Sequence, residues 1–176
     1  FKRNAQGQVT QIVGSSLDIT QRKQAEFALH DALEFNQQII AGAKEGVIVW
    51  DANLRYRVWN PFMAELSGIP ADVVLGQHPL TIFPFLGENG VYALIERALE
   101  GETVLAADVP FNLLKTQRSG WTSETFSPLY NGQGRIIGVI GIVSNITERK
   151  VNESLQQGYL TELTAWQTRY EAAGLA

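Results

Sequence analysis

The sequence predicts an α+β domain held between two helical connectors, and three observations lead there. Strand-like runs fall in two groups, at 46–59 and 104–143, with the short helical segments collected between them, the pattern of a sheet and helices segregated along the chain. Residues 19–40 lack Gly and Pro and follow a helix-start signal, and 148–170 is mostly helical by composition. A polar turn, a strand and a helix start also recur: Asn4–Glu26 returns 127 residues later as Asn131–Glu153, with nine of 23 positions identical. The chain therefore reads as a cut from a tandem array, with residues 1–18 as the last strand of a preceding unit, and the lack of an initiating Met agrees.

In order, the 1–18 segment places Val9, Ile12, Val13 and Leu17 as the apolar positions of a strand that has lost its partners. The connector helix 19–40 opens on Asp18 with Gln21 three residues on. Its Ala25, Leu29, Ala32, Asn36 and Ile39 recur at spacings of 4, 3, 4 and 3, a two-helix seam with one polar residue to set register. A single amphipathic helix packed on its own domain is the alternative. Gly46–Trp59 reads as two strands around Asp51-Ala52-Asn53, the first buried on both faces. Asn60-Pro61 starts a short helix with Phe62, Met63 and Leu66 inward, and Gly68 ends it. Ala71–Leu75 is a helical turn stopped by Gly76. The 77–86 stretch is expected to be an irregular apolar loop broken by Pro79 and Pro84, and Glu88–Glu100 an amphipathic helix closed by Gly101. Val104–Thr116 and Trp121–Leu129 are expected to form a hairpin around Arg118-Ser119-Gly120, followed by the strand Ile136–Val143. Asn145 with Glu148 fits a capping box opening the last helix, which Gly158 weakens by about 1 kcal/mol.

Bulk numbers exclude several functions. The net charge of −4 supplies no basic field for nucleic acid. The absence of Cys removes disulfides, thiolate nucleophiles and cysteinyl adducts, and fits a reducing compartment. No apolar window reaches 18 residues and no signal peptide is visible, so direct membrane contact is not expected and a cytoplasmic location is. Two His, one of them His30 on the connector, assemble no catalytic triad, and no phosphate loop or metal-ligand cluster occurs. The fragment is not expected to be an enzyme.

Residues distributed along the whole central segment resemble the PAS sensory domain of the PAS/PAC type. They are Gly46, Asp51, Asn60, Gly68 in Leu66-Ser67-Gly68, Gly76 in Leu75-Gly76, Pro128, Gly134 and Ile146-Thr147-Glu148-Arg149-Lys150. The resemblance spans about 35–150 and implies a PAS fold: a five-stranded antiparallel sheet with helices on one face enclosing a pocket, flanked by N- and C-terminal connector helices. It divides the chain into 1–18, the connector 19–40, a PAS domain at 41–147 and an exit helix at 148–176. One departure stands at Asn145, where the family usually has Asp, as Asp18 does in the first copy. An ion pair cannot form there.

Within the family, flavin photosensors need an Asn-Cys step where His78-Pro79 stands, so adduct chemistry is excluded. Haem is disfavoured, since the longer helix has no His and His78 would ligate from an unusual place; the cofactor stays unknown. Alternation puts Thr122 and Glu124 on the face of Phe126, and a carboxylate facing an apolar cavity needs a partner, with Lys115 a candidate, or a shifted pKa. Trp50, Trp59, His78, Glu124 and Phe126 are thus the expected lining of a small-molecule site. The opposing reading is that the aromatic residues simply fill the core.

Two functions follow as expectations. One is a sensor module that binds a small ligand and signals through its exit helix, within a multi-PAS bacterial protein, a sensor histidine kinase before a cyclic-dinucleotide enzyme. The other is a ligand-free dimerisation and relay module. Both expect a homodimer through the connector helices, with PAS and output domains as neighbours in cis.

Overall fold

In this computed structural model residues 2–11 and 18–174 are described, and they fall into two units, 1–39 and 40–176. The first unit carries a two-stranded antiparallel ribbon, β1 (Lys2–Arg3) and β2 (Val9–Gln11), followed by α1 (Thr20–Gly42). Its turn is built by Asn4, whose Oδ1 accepts from the Gln6 and Gln8 N–H groups while Gly7 takes φ 78°. Asn131 does the same for Gln133 and Arg135, with Gly134 at φ 74°. The sequence repeat is therefore also a repeat of local hydrogen bonding, set by an Asx turn and a left-handed Gly. Asp18 Oδ1 accepts from Thr20 N at the start of α1, none of whose residues is buried. Ile12, Val13 and Leu17 lie outside the described residues.

The second unit is built on a five-stranded antiparallel sheet. Its strands are β3 (Gly46–Asp51), β4 (Tyr56–Trp59), β5 (Val104–Leu113), β6 (Arg118–Tyr130) and β7 (Ile136–Asn145), in the order β4-β3-β7-β6-β5. Five helices cross one face: α2 (Pro61–Ser67), α3 (Ala71–Val74), α4 (Pro79–Ile82), α5 (Phe85–Glu88) and α6 (Val91–Leu99). Then α7 (Thr147–Ala172) leaves the sheet. The core lies between sheet and helices, where Trp50, Tyr56, Phe126, Ile95 and Val139 are almost wholly buried. On β3 the pattern is one-sided: Ile48 and Trp50 are buried, while Val47 and Val49 are half-buried. Burial on both faces is thus corrected, because Val47 and Val49 are covered in part by sheet neighbours such as Ile142 and Ile140 opposite them.

Asn60 fastens the first helix to the sheet. Its Oδ1 accepts from Val47 N (3.0 Å) and Met63 N (3.2 Å), and its Nδ2 donates to the Glu45 (2.9 Å) and Ile40 (3.2 Å) carbonyls. Pro61 follows as the first helical residue and Gly68, at φ 71°, closes α2 as expected.

Three expected boundaries move. The 77–86 stretch is not an irregular loop, because Pro79 begins α4 and Pro84 precedes α5; a fixed φ that breaks a helix interior favours a first turn. The longer helix starts at Val91 rather than Glu88, since Gly90 sits at φ 81° and Asn89 Oδ1 takes the Val91 N–H. The β5–β6 turn is 114–117, not Arg118-Ser119-Gly120, which pair with Leu113, Asn112 and Phe111. Gln117 takes the left-handed conformation (φ 55°) there, and the Thr116 hydroxyl donates to Ser67 O (2.7 Å), so a tertiary bond to α2 places the reversal.

Asn60→Ala strips four hydrogen bonds from a side chain only 2% exposed. It is expected to lower unfolding stability by about 3 kcal/mol, read from the urea midpoint. Asn60→Asp should also destabilise, because two carbonyls would then face a carboxylate.

Candidate functional site

Between the sheet and the helices lies a cavity of about 70 Å³. Its floor is the inner face of the sheet, with Ile48, Trp50, Thr122, Glu124, Phe126 and Val143; its roof comes from Met63, Phe83, Leu86, Val91 and Ile95. The wall is an aromatic chain. Trp50 lies 5.4 Å from Tyr56 and 6.0 Å from Phe126 between ring centroids, Tyr56 meets Trp59 edge-on at 5.5 Å, and Trp59 stacks on Phe83 at 5.8 Å. Such tilted and edge contacts suit rings whose faces are negative and edges positive.

Of the five residues expected at the site, Trp50, Trp59, Glu124 and Phe126 line this cavity. His78 does not. It caps α4, its Nδ1 accepting from Leu80 N (3.3 Å), which leaves the neutral ring's proton on Nε2 to be donated to the Tyr92 hydroxyl oxygen at 3.2 Å. The X-Pro helix start holds the imidazole outside the lining. Lys115 sits in the 114–117 turn, whereas Glu124 lies opposite Ala106 and Val143, so Lys115 is not its partner.

Glu124 instead receives the Thr122 hydroxyl on Oε1 at 2.8 Å. Burial raises its pKa above the ordinary 4.5, and the Thr122 hydrogen bond offsets only part of that. Glu124 is half-buried and lines the cavity. Burial also pushes the Tyr56 phenol up, first by desolvation and further by Glu124. Trp59 donates its indole N–H to Ile69 O (3.0 Å); the buried Trp50 N–H makes no hydrogen bond of ordinary geometry but lies close enough to the Tyr56 phenol to offset part of that rise.

A second constellation joins the sheet to α7. The Trp121 N–H donates to Thr147 Oγ1 (2.9 Å), the Ile146 N–H to Trp121 O (2.9 Å), and Asn145 Oδ1 accepts from Thr147 N (3.0 Å); the helix N-cap is Ile146, so the expected Asn145–Glu148 capping box gives way to this tighter turn. Asp108, at φ 56° in an irregularity of β5, pairs with Arg149 and Lys150, each at 2.8 Å, and Lys150 Nζ also lies 5.4 Å from the centre of the Trp121 ring. Hydrogen bonds from Lys150 and Arg149 hold the Asp108 carboxyl below its usual range. The charge missing at Asn145 is thus supplied from another strand.

The family model for the PAS fold matches residues 41–151. The chain belongs to the PAS fold family. Among curated relatives it is 26% identical over 169 residues to the Probable diguanylate cyclase DgcE of Escherichia coli, covering 91% of this chain and 15% of that protein. It is 28% identical over 134 residues to the Virulence sensor protein BvgS of Bordetella pertussis, covering 74% of this chain and 11% of that one. The chain thus spans a small fraction of these relatives. The solved PAS domain of BvgS superposes with a TM-score of 0.55 at 26% identity, covering 76% of this chain and 98% of that one. A PAS domain from Colwellia psychrerythraea gives 0.54 at 20%, over 67% and 99%, a likeness of fold. This is a PAS domain of the kind found in signal-transduction proteins, with a sensory or relay role.

Tyr56, Phe83 and Leu86 of this PAS cavity escaped the sequence reading, which placed Met63 inward without assigning it to the lining. Arg55-Tyr56-Arg57-Val58 alternates polar and apolar, which is the signal that turns Tyr56 inward. Because Glu124 binds its proton more tightly folded than unfolded, its contribution is fully present below the unfolded pKa and is lost as pH rises through the folded pKa. Glu124→Gln is therefore expected to stabilise the domain relative to the parent sequence, by an amount that grows from about pH 4.5 upward; urea unfolding at pH 5 and pH 8 checks the sign.

Proposed function

We propose that this PAS domain is a signal-sensing and relay module that binds a small ligand in its cavity and transmits through α7. The observation that carries the reading is a pair of adjacencies. On β5, Val109 lines the cavity and its neighbour Asp108 grips Arg149 and Lys150; on β6, Thr122 lines the cavity and its neighbour Trp121 holds Thr147. A ligand that shifts these strands by a fraction of an ångström acts directly on the first turn of the helix. Its leverage is bounded by its differential affinity for the two packings.

The proposal includes the division into a preceding PAS remnant at 1–18, a connector at 19–40, the PAS domain at 41–147 and an exit helix at 148–176. The parent is read as a cytoplasmic, multi-PAS bacterial signalling protein with a histidine kinase output. A diguanylate cyclase output is the competing assignment, raised by the DgcE likeness. Among the described residues no helix is long and apolar enough to cross a membrane.

A second reading, a ligand-free dimerisation and relay module, is favoured by α7 itself. Val151, Leu155, Tyr159, Leu163, Trp166 and Tyr170 recur at spacings of 4, 4, 4, 3 and 4 and are all exposed, an apolar stripe suited to another helix.

Native mass spectrometry of protein taken directly from cells separates the readings: retained small-molecule mass supports the first, and a dimer without added mass supports the second. For the relay itself, Asp108→Ala is expected to speed amide exchange in the first turn of α7 several-fold with β3 and β7 unchanged; unchanged exchange at Thr147–Lys150 would count against transmission through this contact.

A further inference from the structure

Thr122 stands where the cavity meets the attachments of the exit helix. It is 4% exposed and lines the cavity from β6, and among the described residues its hydroxyl reaches two acceptors. One is Glu124 Oε1 at 2.8 Å, two residues along the same strand and on the same face. The other is the Val109 carbonyl oxygen at 3.4 Å, on the facing strand β5. A hydroxyl carries one proton and turns it about its own C–O bond, so it serves one acceptor well at a time. The distances show which one it serves: Glu124 holds the proton, and the Val109 carbonyl is left with a long, weak contact.

Val109 occupies a special place in its strand. Register between β5 and β6 shifts between Ala106 and Val109, and Asp108 lies inside that excursion at φ 56°. Val109 is thus where β5 rejoins its partner, one peptide from the carboxylate that pairs with Arg149 and Lys150. A hydrogen bond to the Val109 carbonyl ties down the end of the excursion. On β6 the residue before Thr122 is Trp121, which holds Thr147. One hydroxyl therefore lies between the cavity carboxyl and the attachments of both strands to α7.

We propose that Thr122 is the positioning residue that couples the cavity to α7: its proton stays on Glu124 while that oxygen is free, and turns to the Val109 carbonyl when a cavity occupant claims the oxygen. This rests on the ligand-binding reading above and adds the step by which occupancy leaves the cavity. The first event is a proton swinging between two acceptors, after which the 3.4 Å contact shortens. Its leverage is bounded by one net hydrogen bond, a factor of about ten in an equilibrium.

The test uses the full chain and needs no ligand, because removing the Glu124 acceptor sets the same state. Val109-Pro110 is the one Val-Pro step in the sequence, so carbon-13 in valine carbonyls with nitrogen-15 in proline singles out the Val109 carbonyl. Glu124→Leu is expected to move that resonance downfield, the direction of a shorter hydrogen bond. It should also slow amide exchange at Thr147–Lys150 about three-fold relative to β3. In a Thr122→Val background both responses should vanish, and in Thr122→Ser, which restores a hydroxyl, both should return. Glu124→Met replaces Glu124→Leu if that variant folds poorly, and the Val109 resonance still decides if Thr122→Val does. A Thr122 with a merely structural role would change stability in every background but leave the response to the Glu124 substitution intact, and that result overturns the proposal. So does an unmoved Val109 carbonyl in a folded Glu124→Leu chain. Either outcome leaves the ligand-binding reading standing, since that reading is decided by the mass retained in protein taken from cells.

Discussion

The close approach of β3 to β7 is the constraint on which the rest of this PAS domain depends. A Cβ at Gly138 would lie 2.0 Å from the Trp50 carbonyl oxygen, and one at Gly141 would lie 2.8 Å from the Trp50 ring. Neither position can carry a side chain while the two central strands stay in register and Trp50 lies over β7. With Trp50 there, its ring reaches Tyr56 on one side and Phe126 on the other, and the aromatic floor of the cavity is continuous. Two missing side chains thus shape a space enclosed by large ones.

From that floor the structure runs two ways. Upward, Asn60 ties the start of β3 to α2, and the helices that begin at Pro61, Phe85 and Val91 roof the cavity with aliphatic and aromatic groups. Sideways, β7 delivers Asn145 to the start of α7, where Thr147 and the Asp108 pairs hold the first turn against β5 and β6. Those ion pairs are solvent-exposed and individually weak. Their value is directional: weak contacts on one turn are what a small strand displacement can make or break.

The polar content of the cavity is sparse and unbalanced. A buried carboxyl with one hydroxyl partner and an indole N–H with no bond of ordinary geometry, inside aromatic walls, are costly for an inert core, which would be better served by apolar groups of similar shape. The same imbalance makes the domain's own stability dependent on pH through Glu124.

The sequence by itself determined whatever is short-range. The Asn-Pro start and Gly stop of α2, the repeated Asx turns at Asn4 and Asn131, the strand at 136–145 and the run of α7 all follow from local sterics and capping, which act within a few residues. Alternation also put Thr122, Glu124 and Phe126 on one face, because strand period is a backbone property. Tertiary structure decided the rest. Only packing could join His78 to Tyr92, place the β5–β6 reversal at 114–117 through Thr116 and Ser67, bring Tyr56 into the wall, and match Asp108 with Arg149 and Lys150 across about forty residues. These are contacts between distant segments, and a one-dimensional pattern carries no term for which loop will meet which helix.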